Sequence, residues 1–290
     1  MVEAPGEKSL WSPEWSQAQA LVVRNRVQVD GRLLGLFPHL QVVARMGTGL
    51  DNVDLQACRA RGVKVVYAPG ANAPAVAEMA VGLMLALARG FPQALRLGRE
   101  GLWPRPAEFG CELRGKTLGI LGYGRVGREL GRRARALGMR VLGFRRRPIA
   151  EEFVRQVGLE ECLREAHFLA VLLPLSAETR RMVGRRELSL MKPESFLLAL
   201  GRGGVVDEEA LCEALESGHL AGAALDVFSR EPPGEDPVFL RLRELPNVLL
   251  TPHLAGLTRE SQRRLGYLLG CDLLRVLRGL PPRREARSSP

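Results

Sequence analysis

The sequence has no hydrophobic run long enough to cross a membrane, and it contains few cysteines. The longest apolar run, 79-MAVGLMLALA-88, spans ten residues, whereas a membrane-spanning helix needs about 20. The N-terminus does not show the basic and then apolar pattern of a signal peptide. We therefore expect a cytoplasmic protein without a membrane partner. The five cysteines share no C-x-x-C spacing, which argues against a disulfide framework and against a metal site.

Aromatic residues are also scarce, at 5% of the 290 residues, although the net charge is +10. A basic protein of this kind can bind nucleic acid, but single strands are usually held by bases that stack on aromatic side chains. We expect an arginine-rich, solvated surface and no specific nucleic-acid partner. A local basic pocket for an anionic ligand stays open as an alternative.

Short apolar runs alternate with amphipathic stretches along most of the chain. This alternation is typical of parallel sheets covered by helices on both faces, so we predict an α/β fold. It occurs in two blocks, at about residues 20–70 and 116–252, joined by a helix from about residue 74 to 89, or on to 99. Residues 101–110 are predicted to form a loop. The predicted strands are 20–25, 41–45, 63–68, 117–122, 140–144, 168–173, 195–200, 222–227 and 247–252.

The second block opens with a glycine fingerprint, G-x-G-x-x-G, formed by Gly122, Gly124 and Gly127. It lies between an apolar strand and an amphipathic helix, where glycines allow a tight turn and a close approach to a pyrophosphate on the helix N-terminus. The alternative is a glycine-rich turn without a ligand, and the second strand at 140–144 disfavours it. We therefore predict a dinucleotide-binding domain.

The residues after the strand at 140–144 distinguish between two nicotinamide cofactors. An acid there would accept hydrogen bonds from the ribose 2′-hydroxyl of NAD, but the chain carries Arg145, Arg146 and Arg147. A guanidinium cannot accept a hydrogen bond, whereas it can bind a 2′-phosphate with two donors. The arginines therefore favour NADP over NAD. The alternative is that they only solvate the edge of the sheet.

Three polar motifs follow later strands and offer Arg202, Glu231 and His253. Ligands bind at the carboxyl ends of strands in open α/β sheets, so we expect the three side chains in one crevice. The arginine would hold the carboxylate of a 2-oxo acid, and the histidine would protonate its carbonyl oxygen. The glutamate would hold the imidazole and raise its pKa. Each residue alone has an alternative as a turn or loop residue, but together they suit hydride transfer to a 2-oxo acid.

The chain resembles the D-isomer-specific 2-hydroxyacid dehydrogenases from about residue 20 to 280. Its motifs are most similar in sequence to those of the D-3-phosphoglycerate dehydrogenases and the glyoxylate/hydroxypyruvate reductases of that family. The resemblance implies that the arginine, glutamate and histidine take the roles described above. The matching stretches are 47-GTGLDNVD-54, 72-NAPAVAEMAVGLMLALAR-89, 115-GKTLGILGYGRVG-127, 174-PLSAETRRMVG-184, 202-RGGVVDEEAL-211, 221-AGAALDVFSREPP-233 and 251-TPHLAGLT-258.

The resemblance also implies contacts with the cofactor and the substrate. Asp226 would bind the nicotinamide carboxamide, and the backbone amides around Gly47, Thr48 and Gly49 would bind the substrate carboxylate. Arg45 matches an arginine of the phosphoglycerate dehydrogenases and would bind a substrate phosphate; the alternative is a strand-end arginine in solvent. The remaining expected cofactor contacts are Tyr123, Arg125, Val126, Leu173, Pro174, Leu200, Gly201 and Ala255.

The family implies two Rossmann- or flavodoxin-like parallel-sheet domains with the active-site cleft between them. We expect a discontinuous substrate-binding domain over residues 1–90 and 259–290, and a dinucleotide-binding Rossmann domain over residues 91–258. The short N-terminus predicts that the first domain lacks its initial βα unit, and the tail 281–290 is predicted to be disordered. We also expect a homodimer, and no C-terminal regulatory domain.

The leading hypothesis is a D-specific enzyme that reduces a small 2-oxo acid with NADPH, with glyoxylate and hydroxypyruvate as the main candidates. The first alternative is an NAD-dependent D-3-phosphoglycerate dehydrogenase without its regulatory domain. The second is a corepressor-like scaffold that senses dinucleotides, because the family also contains such proteins. The complete catalytic trio disfavours the scaffold.

Overall fold

The computed structural model describes residues 13–103 and 110–286 of the chain. The expectations for the N-terminus therefore fall largely outside the described residues, as do the centre of the predicted loop at 101–110 and the last four residues of the tail. The parallel sheets of the described part confirm the predicted α/β fold class.

The first unit, residues 1–72 and 257–290, contains a parallel sheet. Its elements are β1 (Ala20–Val23), α1 (Gly31–Gly35), β2 (Val42–Arg45), α2 (Leu55–Ala60), β3 (Lys64–Val66) and α10 (Arg259–Leu277). In the described part the strand order is β1-β2-β3. Asp30 and Asp54 begin α1 and α2, because each side chain accepts hydrogen bonds from the first turn. Val42 and Val43 of the central strand are fully buried, as expected for a sheet covered on both faces.

Residues 281–286 pack in the first unit, so the prediction of a disordered tail is wrong for this segment. The N–H of Ala286 donates to the carbonyl of Val65, which extends the edge of β3 with an antiparallel bridge. Nε of Arg284 lies 3.0 Å from Oδ2 of Asp272, a fully buried residue of α10. The strand edge and the buried carboxylate together hold the segment.

The second unit, residues 73–256, is built on a seven-stranded parallel sheet. Its elements are α3 (Ala73–Ala88), α4 (Phe91–Arg99), β4 (Thr117–Leu121), α5 (Arg125–Ala136), β5 (Arg140–Phe144), β6 (Val154–Gln156), α6 (Leu159–Glu165), β7 (Phe168–Val171), α7 (Arg185–Leu190), β8 (Ser195–Ala199), α8 (Glu208–Glu216), β9 (Leu220–Leu225), α9 (Pro237–Glu244) and β10 (Val248–Leu250). The strand order is β10-β9-β8-β7-β4-β5-β6. Successive strands are thus added on one side of β4 up to β6 and on its other side from β7 onward. Ligands bind at such a switch point between β4 and β7.

The predicted long helix is two helices, α3 and α4, bent by 65°. Gly90 between them has a φ of +56°, a left-handed conformation that ends α3 and that glycine adopts readily. No single helix of the described chain is long and apolar enough to cross a membrane, and this bent pair passes that test by length and composition only. Because α3 buries Ala77, Ala80 and Met84 in the core of the second unit, the units divide after residue 72. The sequence predicted these boundaries at residues 90 and 258, whereas the units of the structure divide after residues 72 and 256.

All nine predicted strands are present, most of them shortened by one or two residues at their ends. One further strand of the described residues, β6, was not predicted. Only Val154 of its three residues is buried, so this strand leaves no apolar run in the sequence. It pairs with β5 in parallel.

Candidate active site

The glycine turn joins β4 to α5 at the switch point. Gly122 has a φ of +91°, and a Cβ there would lie 2.9 Å from the main-chain carbon of Leu172, so packing alone requires glycine. At Gly124 a Cβ would come no nearer than 3.9 Å to any described atom. That glycine is instead suited to the close approach of a ligand, because it leaves the start of α5 without a side chain in the way. The turn therefore fits a dinucleotide pyrophosphate.

The side chain of Tyr123, one of the expected cofactor contacts, is buried beneath the glycine turn. Its side chain is 1% exposed, and its ring packs beneath the turn against Gly127, Gly131 and Gly143. Burial raises the pKa of the phenol to about 12. The side chain thus packs beneath the glycine turn and supports it, and a cofactor contact of Tyr123 stays a prediction.

The arginines after β5 lie beside the glycine turn. The carbonyl of Phe144 accepts a hydrogen bond from the N–H of Gly122 at 3.0 Å, which joins the end of β5 to the turn. Arg145 is half-buried, and Arg146 and Arg147 are exposed. The basic residues are therefore available where a Rossmann fold binds the adenosine ribose.

Arg202, Glu231 and His253 follow β8, β9 and β10, at the carboxyl edge of the sheet. The structure brings the last two into direct contact: Nδ1 of His253 lies 2.6 Å from Oε2 of Glu231. The other carboxylate oxygen accepts a hydrogen bond from the N–H of Phe228 at 3.1 Å. The glutamate is thus oriented by the main chain and in turn orients the imidazole.

The pair is polarised toward imidazolium and carboxylate. The hydrogen bond to Glu231 raises the pKa of His253 above its ordinary value, although partial burial and the charge of Arg202 act in the opposite direction. Burial tends to raise the pKa of Glu231, but hydrogen bonds from His253 and from the N–H of Phe228 bring it below its ordinary value. The site can therefore hold a proton on the imidazole at a higher pH than an isolated histidine can.

Asp226 holds the loop that carries the histidine. Its side chain is 1% exposed. Oδ1 accepts from Oγ1 of Thr251 at 2.6 Å and from the N–H of Leu254 at 2.9 Å, and Oδ2 accepts from the N–H of Ala255 at 2.9 Å. His253 has a φ of +52°, which costs about 1–3 kcal/mol and needs such support. Sequence reasoning missed this role of Asp226. The expected contact with the nicotinamide carboxamide would use the lone pairs of the carboxylate that these hydrogen bonds leave available.

The segment that carries Arg202 is pressed against neighbouring main chain. A Cβ at Gly201 would lie 2.5 Å from the carbonyl oxygen of Leu173, and one at Gly203 would collide with the carbonyl of Phe228. Nη1 of Arg202 donates to the carbonyl of Gly201 at 2.9 Å. Only glycines fit on either side of the arginine. The other expected cofactor contacts that follow strands at this edge are Pro174, Leu200 and Ala255.

In the first unit, Arg45 lies over the predicted substrate loop. Nε donates to Oδ1 of the buried Asn52 at 3.3 Å, and Nη1 donates to the carbonyl of the next residue at 3.1 Å. The guanidinium occupies the space where a Cβ of Gly47 would be. Arg45 is therefore fixed by the protein and is not a free strand-end arginine. The contacts of Gly47, Thr48 and Gly49 with a substrate stay predictions.

A parallel sheet with a glycine turn at its switch point defines a dinucleotide-binding α/β protein, here with an acid–base pair at the same edge. The family model described as D-isomer specific 2-hydroxyacid dehydrogenase, NAD binding domain, matches residues 81–255. This match covers more than half of the chain. The chain belongs to the D-isomer specific 2-hydroxyacid dehydrogenase family, as the resemblance in the sequence implied.

Two relatives and one solved structure support this assignment. The chain is 41% identical over 254 residues to hydroxypyruvate reductase of Thermotoga maritima, over 87% of this chain and 83% of that protein. It is 41% identical over 269 residues to D-3-phosphoglycerate dehydrogenase of Archaeoglobus fulgidus, over 91% of this chain but 50% of that protein, so it spans about half that relative's length. The crystal structure of the TT0316 protein from Thermus thermophilus matches with a TM-score of 0.88 and 36% identity, over 94% of this chain and 88% of that chain.

Proposed function

We propose that the protein transfers a hydride between a nicotinamide dinucleotide and the 2-carbon of a small D-2-hydroxy or 2-oxo acid. The observation that carries this proposal is the 2.6 Å contact between His253 and Glu231 at the carboxyl edge of the dinucleotide-binding sheet. Because Nδ1 is bonded to the carboxylate, Nε2 is the atom that exchanges a proton with the substrate. The cofactor, when bound, supplies or accepts the hydride.

The side chains divide the remaining chemistry among them. In the reducing direction, protonated His253 donates its Nε2 proton to the carbonyl oxygen, while Glu231 stabilises the imidazolium. Arg202 binds the substrate carboxylate with two donors and polarises the carbonyl. In the oxidising direction, neutral His253 accepts the hydroxyl proton. The raised pKa of the histidine favours reduction near neutral pH.

We assign a preference for NADPH to the arginines after β5. Arg145 stands where NAD-dependent proteins of this fold carry an acid, and the exposed Arg146 follows it. Two guanidinium groups suit a phosphate dianion, and neither accepts a hydrogen bond from a ribose hydroxyl.

Glyoxylate and hydroxypyruvate are the leading substrates, and the relative named hydroxypyruvate reductase supports them. The second candidate is the NAD-dependent oxidation of D-3-phosphoglycerate. It is favoured by Arg45, which Asn52 holds over the predicted substrate loop, because a fixed guanidinium suits a substrate phosphate. The relative named D-3-phosphoglycerate dehydrogenase supports this candidate.

We also propose a homodimer that forms through α4. This helix exposes Phe91 and Leu95, and the residues after it expose Leu102 and Trp103. Trp103 is 80% exposed and Leu95 is 61% exposed. Large apolar side chains exposed along one segment are typical of a protein–protein interface.

The test is a matrix of initial rates. NADPH and NADH are each combined with glyoxylate, hydroxypyruvate and 3-phosphohydroxypyruvate. We expect the highest kcat/KM with NADPH and one of the two small oxo acids. The highest kcat/KM with NADH and the phosphorylated acid would replace the reductase proposal by the second candidate. The absence of turnover with all six pairs would contradict both.

A further inference from the structure

The chain between β5 and β6 forms a basic turn, defined here as residues 145–149. The turn leaves β5 next to the glycine turn, because the carbonyl of Phe144 accepts the N–H of Gly122. Its first arginine, Arg145, is half-buried, and the next two are exposed. The basic turn therefore begins where the adenosine ribose of a dinucleotide lies in this fold.

Gln156, the last residue of β6, spans the basic turn with its side-chain amide. Nε2 donates to the carbonyl of Arg145 at 3.0 Å and to the carbonyl of Arg147 at 3.2 Å. Oε1 accepts from the N–H of Ile149 at 2.8 Å. These three bonds fix the main chain on both sides of Arg146.

Two other contacts hold the far end of the basic turn. Ile149 packs over β5 so closely that a Cβ at Gly143 would lie 2.6 Å from its Cδ1. Just beyond the turn, Glu151 forms an ion pair at 2.5 Å with Arg128 of α5. The turn is thus shaped by the protein before a ligand binds, which lowers the entropy lost on binding.

We propose that Gln156 is a positioning residue for recognition of the adenosine 2′-phosphate. It holds the basic turn so that the guanidinium groups of Arg145 and Arg146 converge on the phosphate. This inference rests on the NADPH preference proposed above. Two parallel guanidinium–phosphate bonds form in a narrow range of orientations, so a loosened main chain weakens them. Gln156 acts on the main chain and leaves the rest of the nucleotide site unchanged.

The test compares 2′,5′-ADP with 5′-AMP by isothermal titration calorimetry on the full-length protein. The two nucleotides differ by one 2′-phosphate, so the ratio of their Kd values isolates that group. Gln156→Met keeps the length of the side chain and removes its polar amide. We expect this change to lower the preference for 2′,5′-ADP about tenfold. The affinity for 5′-AMP should stay within about twofold of wild type.

Two further variants complete the design. Gln156→Leu also removes the amide without adding a charge; it serves if thermal denaturation shows that the methionine variant does not fold. Arg155→Ala is the matched control, because it removes a neighbouring charge of β6 that pairs with Glu161 and Glu165. The control should keep the wild-type ratio.

The outcomes separate this inference from the cofactor proposal. In one outcome, wild type prefers 2′,5′-ADP, Arg146→Ala loses this preference, and the Gln156 variants keep it. This outcome overturns the positioning role of Gln156, while the NADPH proposal stands. Equal weakening of both nucleotides by Gln156→Met also overturns the role, because it indicates general damage to the site. If wild type does not distinguish the two nucleotides, both proposals fail.

Discussion

Replacing Asp226 by asparagine should damage both stability and activity. The carboxylate accepts three hydrogen bonds while 1% exposed, and asparagine keeps only one acceptor oxygen. One buried N–H would then face an amide nitrogen, at a cost of about 1–3 kcal/mol, and the other bonds would lose their charge assistance. Relief of the buried charge offsets part of this loss, so we expect the free energy of unfolding to fall by about 2–4 kcal/mol. The loosened His253 should lower kcat/KM about 100-fold.

Urea denaturation and steady-state kinetics measure the two effects. Asp236→Asn is the control, because Asp236 accepts from the N–H groups of Val238 and Phe239 at the start of α9 and asparagine caps a helix about as well. We expect this control to change the free energy of unfolding by less than about 0.5 kcal/mol. If Asp226→Asn behaves like the control in both assays, the carboxylate does not hold the histidine loop.

Three other predictions concern separate parts of the molecule. Glu231→Gln removes the hydrogen bond that contributes most to the raised pKa of His253. Reduction needs the protonated imidazole, so kcat/KM should begin to fall at a lower pH than in wild type, as measured in a pH–rate profile. Leu95→Glu places a charge on the exposed face of α4 and should convert a dimer into a monomer, as measured by light scattering after size-exclusion chromatography. Arg284→Met leaves the buried carboxylate of Asp272 without its charged partner and should lower the free energy of unfolding in urea by about 3–5 kcal/mol.

Each of these predictions has a control or a contrary outcome. A falling limb that stays at the wild-type pH in Glu231→Gln would mean that the carboxylate does not set the pKa of the imidazole. Leu274→Glu, on the exposed face of α10, should leave the oligomeric state unchanged, and dissociation by this variant alone would move the interface away from α4. Lys64→Met breaks an exposed ion pair with Glu285 and should lower the free energy of unfolding by less than about 1 kcal/mol. An equally small loss for Arg284→Met would contradict the predicted contribution of the buried ion pair.

The parts that sequence reasoning found have local causes. The glycine turn is recognised because Gly122, Gly124 and Gly127 have the G-x-G-x-x-G spacing between a strand and a helix that are adjacent in the sequence. Glu231 and His253 were placed at one edge by the rule that parallel strands end together. Such features need no knowledge of distant packing.

The parts that it missed depend on contacts between distant residues. Asp226 accepts hydrogen bonds from residues that lie 25 to 29 positions later in the sequence. Gln156 lies on a strand with only one buried apolar residue. The bend at Gly90 follows from a single glycine inside a run that is otherwise helical. Residues 281–286 are held because Arg284 reaches a carboxylate buried in α10, which no local pattern indicates.

The central claim is that His253 donates the proton during reduction. The most direct measurement is the rate of NADPH oxidation in a single turnover, with the oxo acid that wild type reduces fastest, for wild type and His253→Gln. We expect the substitution to lower this rate about 10²–10⁴-fold and to leave the Kd for NADPH within about twofold. A rate within about fivefold of wild type at unchanged cofactor affinity would contradict the account, because another group would then be the proton donor.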